Sequence, residues 1–265
     1  AYTTRRVVGS PGIPSPHADA ERFRVRGHEV SRLEALSDAV FALAMTLLIV
    51  SVEVPKSFGE LMEVVRGFPA FAFCFAVLIW FWHAHYTFCR RYALLDDTTM
   101  VLNSVLLFVV LFYVYPLKFV FGGFIAGLMG SGQGSRLNPD QAAQLFVLYG
   151  LGFAAVWAIF GLMHLHAYRQ ADALELTPIE RLMTRGQVGV SISRMMLAFG
   201  SIAVALCAPP QWLAMAGWVY FLMSITETAY GMSVGRRARA LVARLGPAAT
   251  RYAGPPSGTA HPPPG

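Results

Sequence analysis

Charged residues are scarce in this chain, and their scarcity excludes most classes of soluble protein. Only 14% of the 265 residues are charged, whereas 55% are apolar, and the mean hydropathy is +0.51. Soluble chains are about one quarter charged, so this composition excludes a disordered protein and a soluble nucleic-acid-binding protein. The pI of about 9.5 comes from basic residues that lie between apolar runs and form no single basic stripe. The sequence therefore predicts an integral membrane protein.

Cysteine is also scarce, and its spacing excludes a disulfide framework and a zinc site. The three cysteines, Cys74, Cys89 and Cys207, are far apart and form no CxxC pair. The sequence contains no HExxH or Glu-x-x-His spacing and no phosphate-binding glycine loop. We therefore expect a protein that is not an enzyme, with no cofactor and no fixed metal.

Long apolar runs dominate the rest of the chain. A membrane span needs about 20 mostly apolar residues, and six segments qualify: 33–54, 68–89, 98–124, 142–168, 188–207 and 212–233. The last two are separated only by Ala208–Gln211, where two prolines predict a tight turn between antiparallel helices. We expect a partly disordered N-terminal segment (1–31), a six-helix transmembrane domain (32–235) and a low-complexity tail (236–265).

The basic residues predict how these helices are oriented. With six spans, 17 of the 21 Lys and Arg residues, Arg194 among them, are assigned to one side of the membrane. Since cytoplasmic loops carry an excess of Lys and Arg, we expect both termini to be cytoplasmic. The preference for Arg over Lys and the abundance of Ala, Gly and Pro favour a prokaryotic plasma membrane.

Ionisable residues inside the spans are candidate functional residues, because each costs several kcal/mol at the bilayer centre. They include Asp38, His83, His85, Lys118, His164, His166 and Glu227. Paired histidines suggest a haem ligand set, but residues two apart on a helix point roughly 200° away from each other. Neither His83/His85 nor His164/His166 can therefore bind one metal from a single helix face.

The first span combines an apolar stripe with a carboxylate. At 100° per residue, six residues fall within an arc of about 100°: Leu36, Ala39, Leu43, Thr46, Leu47 and Val50. Asp38 lies about 140° from Leu43, so it points away from this stripe, and Ser37 lies on the same far side, within reach of a hydrogen bond to Asp38. A carboxylate there needs donors from neighbouring helices, and Trp82, His85 and Asn103 lie at matching depth.

These residues resemble the signature of the transmembrane protein 175 family of potassium channels. The resemblance rests on Arg32, Ser37 and Asp38 followed by Thr46-Leu47-Leu48, on the W-x-x-H spacing of Trp82 and His85, and on Leu102-Asn103 followed by Pro116. Trp80 and His83 have the same spacing as Trp82 and His85. The resemblance covers roughly residues 32–235, and Leu36 stands where the family usually has phenylalanine.

The resemblance implies an all-α, potassium-selective channel with a pore lined by the first helix. It implies a constriction at Leu43 followed by Leu47 and Val50, and a hydroxyl layer at Thr46 that contacts permeating K⁺. It also implies a homotetramer, because one chain carries one six-helix unit, with membrane lipid and potassium ions as its other partners. Arg32, Ser37 and Asp38 would form one network with the signature residues of the second and third helices, Trp82, His85 and Asn103.

Two other functions remain as alternatives. A proton-coupled transporter would use Asp38, His85 and Glu227 as relay groups. A structural or haem-binding membrane protein would conduct no ions at all. The sequence shows no inverted repeat and no carbonyl-lined TVGYG filter.

Overall fold

The computed structural model describes residues 23–50, 54–128, 138–207, 209 and 215–251, and every regular element within these ranges is helical. The helices are α1 (Arg32–Val50), α2 (Phe58–Tyr92), α3 (Asp97–Leu128), α4 (Pro139–Arg169), α5 (Pro178–Cys207), α6 (Met215–Trp218) and α7 (Leu222–Leu245). Short 3-10 turns occupy Val219–Phe221 and Gly246–Thr250.

Four helices are long and apolar enough to cross a membrane, and they coincide with the second to fifth predicted spans. These are all of α2, Asp97–Gly123 of α3, Asp140–Arg169 of α4 and all of α5. The first predicted span corresponds to α1, which ends at Val50. The remaining positions 51–53 of that span lie outside the described residues.

The sixth predicted span differs from the structure. Instead of one continuous helix over 212–233, the chain forms α6, a 3-10 turn and the start of α7. Tyr220 in this turn packs edge-on against Tyr149 and Phe153, with ring centroids 5.2 Å apart in both pairs. Such a tightened segment within a helix commonly marks a local departure from regular packing. Most of the predicted turn at Ala208–Gln211 lies outside the described residues.

Local capping contacts explain where several helices begin. Ser57 accepts a hydrogen bond from the Glu60 amide, so α2 starts ten residues before the apolar span at Phe68. At the start of α5, Thr177 and Glu180 form a reciprocal capping box, with N···O distances of 3.2 and 2.9 Å. These polar starts are separate from the apolar runs, which is why hydropathy alone places the helix ends differently.

The core lies where α2, α3 and α4 meet, and α5 packs closely on α4. Phe81, Tyr113, Phe153 and Trp157 form a buried aromatic cluster. On α4, Gly150 faces Ile202 of α5, and an added Cβ would lie 2.6 Å from Ile202 Cγ1. Only glycine fits at this contact between the two helices.

One end of the bundle collects most of the arginines of the described residues, and we call it the basic end. It is formed by residues 23–32, 90–97, 166–181 and 236–251. Its arginines are Arg24, Arg26, Arg32, Arg90, Arg91, Arg169, Arg181, Arg236, Arg237, Arg239, Arg244 and Arg251.

Residues 23–31, which we call the N-terminal strap, dock onto the basic end and lead directly into α1. Glu180, only 2% exposed, accepts hydrogen bonds from Arg24 at 3.1 Å and from Arg26 at 2.9 Å. The amides of Arg26 and Gly27 donate to the carbonyl of Arg90, one of the last carbonyls of α2. The strap therefore joins the end of α2 to the start of α5.

The chain also remains packed beyond position 235. Helix α7 continues to Leu245, and its last turns contact the start of α5 through Leu241, Val242, Ile179 and Met183. Packed structure therefore lies on both sides of positions 31/32 and 235/236, because short polar segments dock through a few specific contacts that hydropathy does not register.

Candidate functional site

Helix α1 has one face packed against the protein and one face left uncovered by the protomer. Ser37, Phe41, Ala44 and Leu48 are buried. The uncovered face is apolar apart from one hydroxyl, and Leu43 on it is 53% exposed. Its members are Ala35, Leu36, Ala39, Ala42, Leu43, Thr46 and Ile49.

The uncovered face overlaps the predicted stripe but is rotated from it. Leu36, Ala39, Leu43 and Thr46 are exposed as expected. Leu47 is half-buried and packs against the core, because it lies at the edge of the stripe nearest to Leu48. The side chain of Val50 lies outside the described residues.

Thr46 places its hydroxyl within the exposed face. Its Oγ1 donates a hydrogen bond to the carbonyl of Leu43 at 2.7 Å. Since the proton is used within the helix, the oxygen presents only its lone pairs outward. That arrangement makes the Thr46 hydroxyl an acceptor on this face.

Asp38 is held by helix α2. Trp82 Nε1 donates to Asp38 Oδ1 at 2.8 Å, and the Trp82 ring stacks on Tyr86 one turn away. The half-buried carboxylate thereby receives a neutral donor from a neighbouring helix, as its desolvation requires.

Ser37 is held by a separate set of contacts that reaches α3. Asn103 Nδ2 donates to Ser37 Oγ at 3.0 Å, and Ser37 Oγ donates to the Leu33 carbonyl at 2.8 Å. His85 Nε2 lies 2.7 Å from Asn103 Oδ1. All three contacts are satisfied together when His85 Nε2 carries the proton. All three side chains, Ser37, His85 and Asn103, are buried.

The signature residues therefore form two clusters rather than the single predicted network. Ser37 and Asp38 do not bond to each other, because neighbouring helical residues point about 100° apart and reach different helices. Arg32 is exposed at the first residue of α1 and makes no hydrogen bond to the other signature residues of the described chain. Of the two W-x-x-H pairs, Trp82 and His85 contact the signature.

The remaining histidines are separated from one another. His83 is exposed, His164 Nδ1 lies 2.8 Å from the Phe160 carbonyl, and His166 Nε2 lies 2.7 Å from Asp96 Oδ2. Within the described ranges, no three His, Cys, Asp or Glu side chains are grouped to hold a metal ion. Lys118 on α3 lies near the end of α1, with Nζ 3.4 Å from the Leu48 carbonyl.

Asp96 lies between α2 and α3, outside the spans. Burial by itself would raise its pKa, but hydrogen bonds from Thr99 and His166 hold the pKa of this carboxyl below its ordinary value.

An ion pair within the helices was missed by the sequence analysis, which counted Arg194 among the loop residues. Arg194 Nε donates to Glu227 Oε1 at 2.6 Å and joins α5 to α7. The Arg194 guanidinium carbon also lies 3.7 Å from the ring centroid of Trp157 and 4.7 Å from that of Trp80. The available signal was a charged residue inside the apolar segment 188–207.

The long apolar helices and the polar contacts between them define a multi-pass membrane protein. The family described as endosomal/lysosomal potassium channel TMEM175 matches residues 32–113. A potassium channel of Marivirga tractuosa is 34% identical over 234 residues, which cover 83% of this chain and 94% of the relative. The chain therefore belongs to the TMEM175 family, as its signature residues predict.

Two further proteins are similar to this chain. The potassium channel Cha6605_3372 of Chamaesiphon minutus is 25% identical over 189 residues, which cover 68% of this chain and 90% of the relative. The crystal structure of a variant of the potassium channel MtTMEM175, in complex with a nanobody–MBP fusion protein, is 32% identical with a TM-score of 0.72. That match covers 82% of this chain and 98% of the other. The family consists of channels and not of enzymes, and it needs no cofactor.

Proposed function

We propose that this chain is a potassium-selective cation channel that conducts down the electrochemical gradient. The observation that carries the proposal is the uncovered face of α1, which is apolar except for Thr46 and lies beside a polar set of contacts that fixes the helix. The names of the relatives support the ion: each of the three reported above is a potassium channel.

One protomer cannot enclose a pore with a single helix face. We infer that four copies of α1 surround a water-filled path in a homotetramer, as expected for a chain with one six-helix unit. The same face that a single protomer leaves uncovered would then line the path, and the surrounding helices would face membrane lipid.

Leu43 is the proposed constriction. A ring of leucine side chains can exclude water when it is narrow, and so it blocks ions without any charged gate. Leu47 and Val50 continue the apolar wall toward the end of α1, with Leu47 contributing from the edge of the face.

Thr46 is the proposed selectivity layer. Because its proton is donated to the Leu43 carbonyl, each hydroxyl oxygen can accept a partly dehydrated cation. A ring of neutral oxygens replaces the hydration shell of a weakly hydrated ion more readily than that of a strongly hydrated one, which favours K⁺.

The two signature clusters are proposed to set the angle of α1 and hence the width of the path. Trp82 holds Asp38 from α2, and Asn103 with His85 holds Ser37 from α3. Arg32, the first residue of α1, would lie at the entrance of the path and belong to neither cluster.

The basic end is proposed to face the cytoplasm of a plasma membrane, with both termini on that side. Its arginines would meet the more negative lipid surface, as the excess of cytoplasmic Lys and Arg predicts.

The test of the constriction is Leu43→Ala in proteoliposomes carrying a K⁺ gradient. We expect the K⁺ flux per protein to rise several-fold, because a ring of smaller side chains holds water more easily. The matched control is Leu151→Ala on α4, a leucine of similar exposure (50%) away from α1. A Leu43→Ala flux equal to that of the control would refute Leu43 as the constriction.

The same proteoliposomes separate a channel from the proton-coupled alternative. A channel develops a K⁺ diffusion potential from the K⁺ gradient alone, without a protonophore, and a voltage-sensitive dye records that potential. A flux that requires proton movement in the opposite direction would instead support the relay of Asp38, His85 and Glu227.

A further inference from the structure

A pocket at the basic end has no part in the proposed conduction path. It lies between the N-terminal strap and the last two turns of α2, and its volume is about 520 Å³. The residues that matter for its chemistry are Phe23, His28, Tyr86, Thr87, Arg90 and Arg91.

The pocket is cationic. Arg90 and Arg91 line it together with His28, and none of the described lining residues is acidic. Two carboxylates lie near the pocket but outside its wall: Glu180 is paired with two other arginines, Arg24 and Arg26, and the buried Glu34 interacts electrostatically with Arg90. The positive charge of the pocket is therefore not balanced from within its own wall.

The arginines are held in place before any ligand arrives. Arg90 Nη1 donates to the carbonyls of Gly27 and His28, and Nε donates to the Tyr86 hydroxyl at 3.3 Å. Arg91 lies over the ring of Phe23, with its guanidinium carbon 5.1 Å from the centroid. Holding a guanidinium fork in advance reduces the entropy that is lost when it binds an anion.

The position of the pocket indicates the kind of anion. The apolar run of α2 ends at Cys89, directly before the two arginines, and Tyr86 lies exposed one turn earlier. Aromatic rings next to a cluster of basic residues are typical of the membrane–water interface. Lipid headgroups lie at this depth, and basic pockets there bind phosphate-bearing headgroups.

We propose that this pocket binds the phosphate group of an anionic phospholipid. Arg90 and Arg91 contact the phosphate, the Thr87 hydroxyl and His28 lie within the same wall, and the acyl chains run down the exposed side of α2 past Tyr86. A soluble phosphate compound carries the same chemistry but has no acyl chains to use that apolar surface.

The bound lipid would contact both α2 and the N-terminal strap at the basic end. Phosphate at Arg90 and Arg91 would contact α2, while Phe23 and His28 belong to the strap that precedes α1. The site does not depend on the proposed path of ions, so its test reads binding rather than current.

The experiment titrates the purified full chain in neutral detergent with phosphatidylglycerol and follows bound lipid by native mass spectrometry and by the midpoint of thermal unfolding. Separate arms use phosphatidylcholine and inorganic phosphate. We expect phosphatidylglycerol to bind and raise the midpoint, phosphatidylcholine to have no such effect, and inorganic phosphate to bind far more weakly.

Arg90→Gln/Arg91→Gln should weaken phosphatidylglycerol binding by about tenfold or more, from about 1 kcal/mol per arginine near a lipid surface. Arg236→Gln/Arg237→Gln is the matched control, since it removes the same charge from exposed residues of α7 at the same end. Arg91→Gln alone keeps the bonds of Arg90 to the strap, so it reports on binding if the double variant does not fold.

Two results would overturn the proposal. Equal affinity for phosphatidylglycerol in Arg90→Gln/Arg91→Gln and in the α7 control would mean that the lipid senses only the overall charge; if the double variant does not fold, Arg91→Gln is compared in the same way with Arg237→Gln. Inorganic phosphate binding as tightly as phosphatidylglycerol would mean that the site takes a soluble anion.

Discussion

Two carboxylates lie between apolar helices of this protein, and they are satisfied in different ways. Asp38 on α1 receives one hydrogen bond from the neutral indole of Trp82. Glu227 on α7 receives one from Arg194, a cation that also contacts the rings of Trp80 and Trp157. The first contact adds no positive charge beside its carboxylate, whereas the second forms a pair of opposite charges.

The kind of contact, neutral or charged, matches the position of the helices that it joins. A carboxylate with a neutral donor keeps negative potential behind α1, where the proposed path would carry cations. A fixed guanidinium at that place would repel them. The Arg194–Glu227 pair joins α5 to α7. These helices would not line the proposed path, so a pair of opposite charges there can serve to hold the two helices together.

The largest effect should come from breaking the charged contact. Arg194→Met leaves Glu227 without its cation and the two indoles without their partner, and removing one member of such a pair costs about 3 kcal/mol. Arg194 is 11% exposed and Glu227 36%, so some of the cost is relieved by solvent. We expect a clear fall in the thermal unfolding midpoint of the detergent-purified protein.

Arg237→Met is the control for Arg194→Met, because it removes an exposed arginine from α7. Glu227→Gln keeps an acceptor for Arg194 and should cost less than Arg194→Met. If Arg194→Met and Arg237→Met unfold at the same temperature, the Arg194–Glu227 pair adds no stability. The charged contact of Glu227 would then not be the stronger of the two.

The neutral contact should be the next most sensitive. Trp82→Phe removes the donor to Asp38 and leaves the carboxylate unpaired, at a cost of about 1–3 kcal/mol. We expect a lower midpoint of unfolding, with K⁺ over Na⁺ preference changed less than the yield of folded protein. A second change, Asp38→Asn, should cost less in the Trp82→Phe background than in the wild type, because their donor and acceptor act together.

An altered K⁺ to Na⁺ ratio in well-folded Trp82→Phe protein would contradict that expectation, since Asp38 would then act on the ion directly.

The smallest effect should come from a polar contact outside the spans, where water replaces a lost partner. Asp96→Asn removes the negative charge and one of the two carboxylate oxygens that accept from Thr99 and His166, the contacts that lower the pKa of Asp96. A carboxyl with a lowered pKa stabilises the fold above its ordinary value of 3.8, and that contribution is lost as the pH falls through the lowered value. The midpoint difference between Asp96→Asn and wild type should therefore be small at pH 7 and decrease toward pH 3. A difference that grows on acidification would contradict this assignment.

Sequence periodicity predicted the parts of the site that depend on one helix. Leu43 and Thr46 share a face because a 100° step per residue places them 60° apart, and the structure leaves that face exposed. Leu47 differs because its burial depends on the helices that pack beside it. Spans two to five were predicted because each contains a long unbroken apolar run.

Contacts between distant segments could not be read from the sequence in the same way. Arg194 and Glu227 each look like an isolated charge, and nothing local indicates that they meet. The 3-10 turn at Val219–Phe221 leaves the average hydropathy of its segment unchanged. The docking of Arg24 and Arg26 depends on Glu180. This residue lies more than 150 positions further along the chain and shares no sequence motif with them.

The strap has a mechanical consequence for the first helix. The arginines of the strap form ion pairs with Glu180, and its amides donate to a carbonyl at the end of α2. Helix α1 starts at the residue after the strap. A tilt of α1 at this end must therefore displace either α2 or α5, because both helices are bonded to the strap that precedes α1. Motion of the first helix is in this way coupled to the outer bundle, although three helices separate it from α5 along the chain.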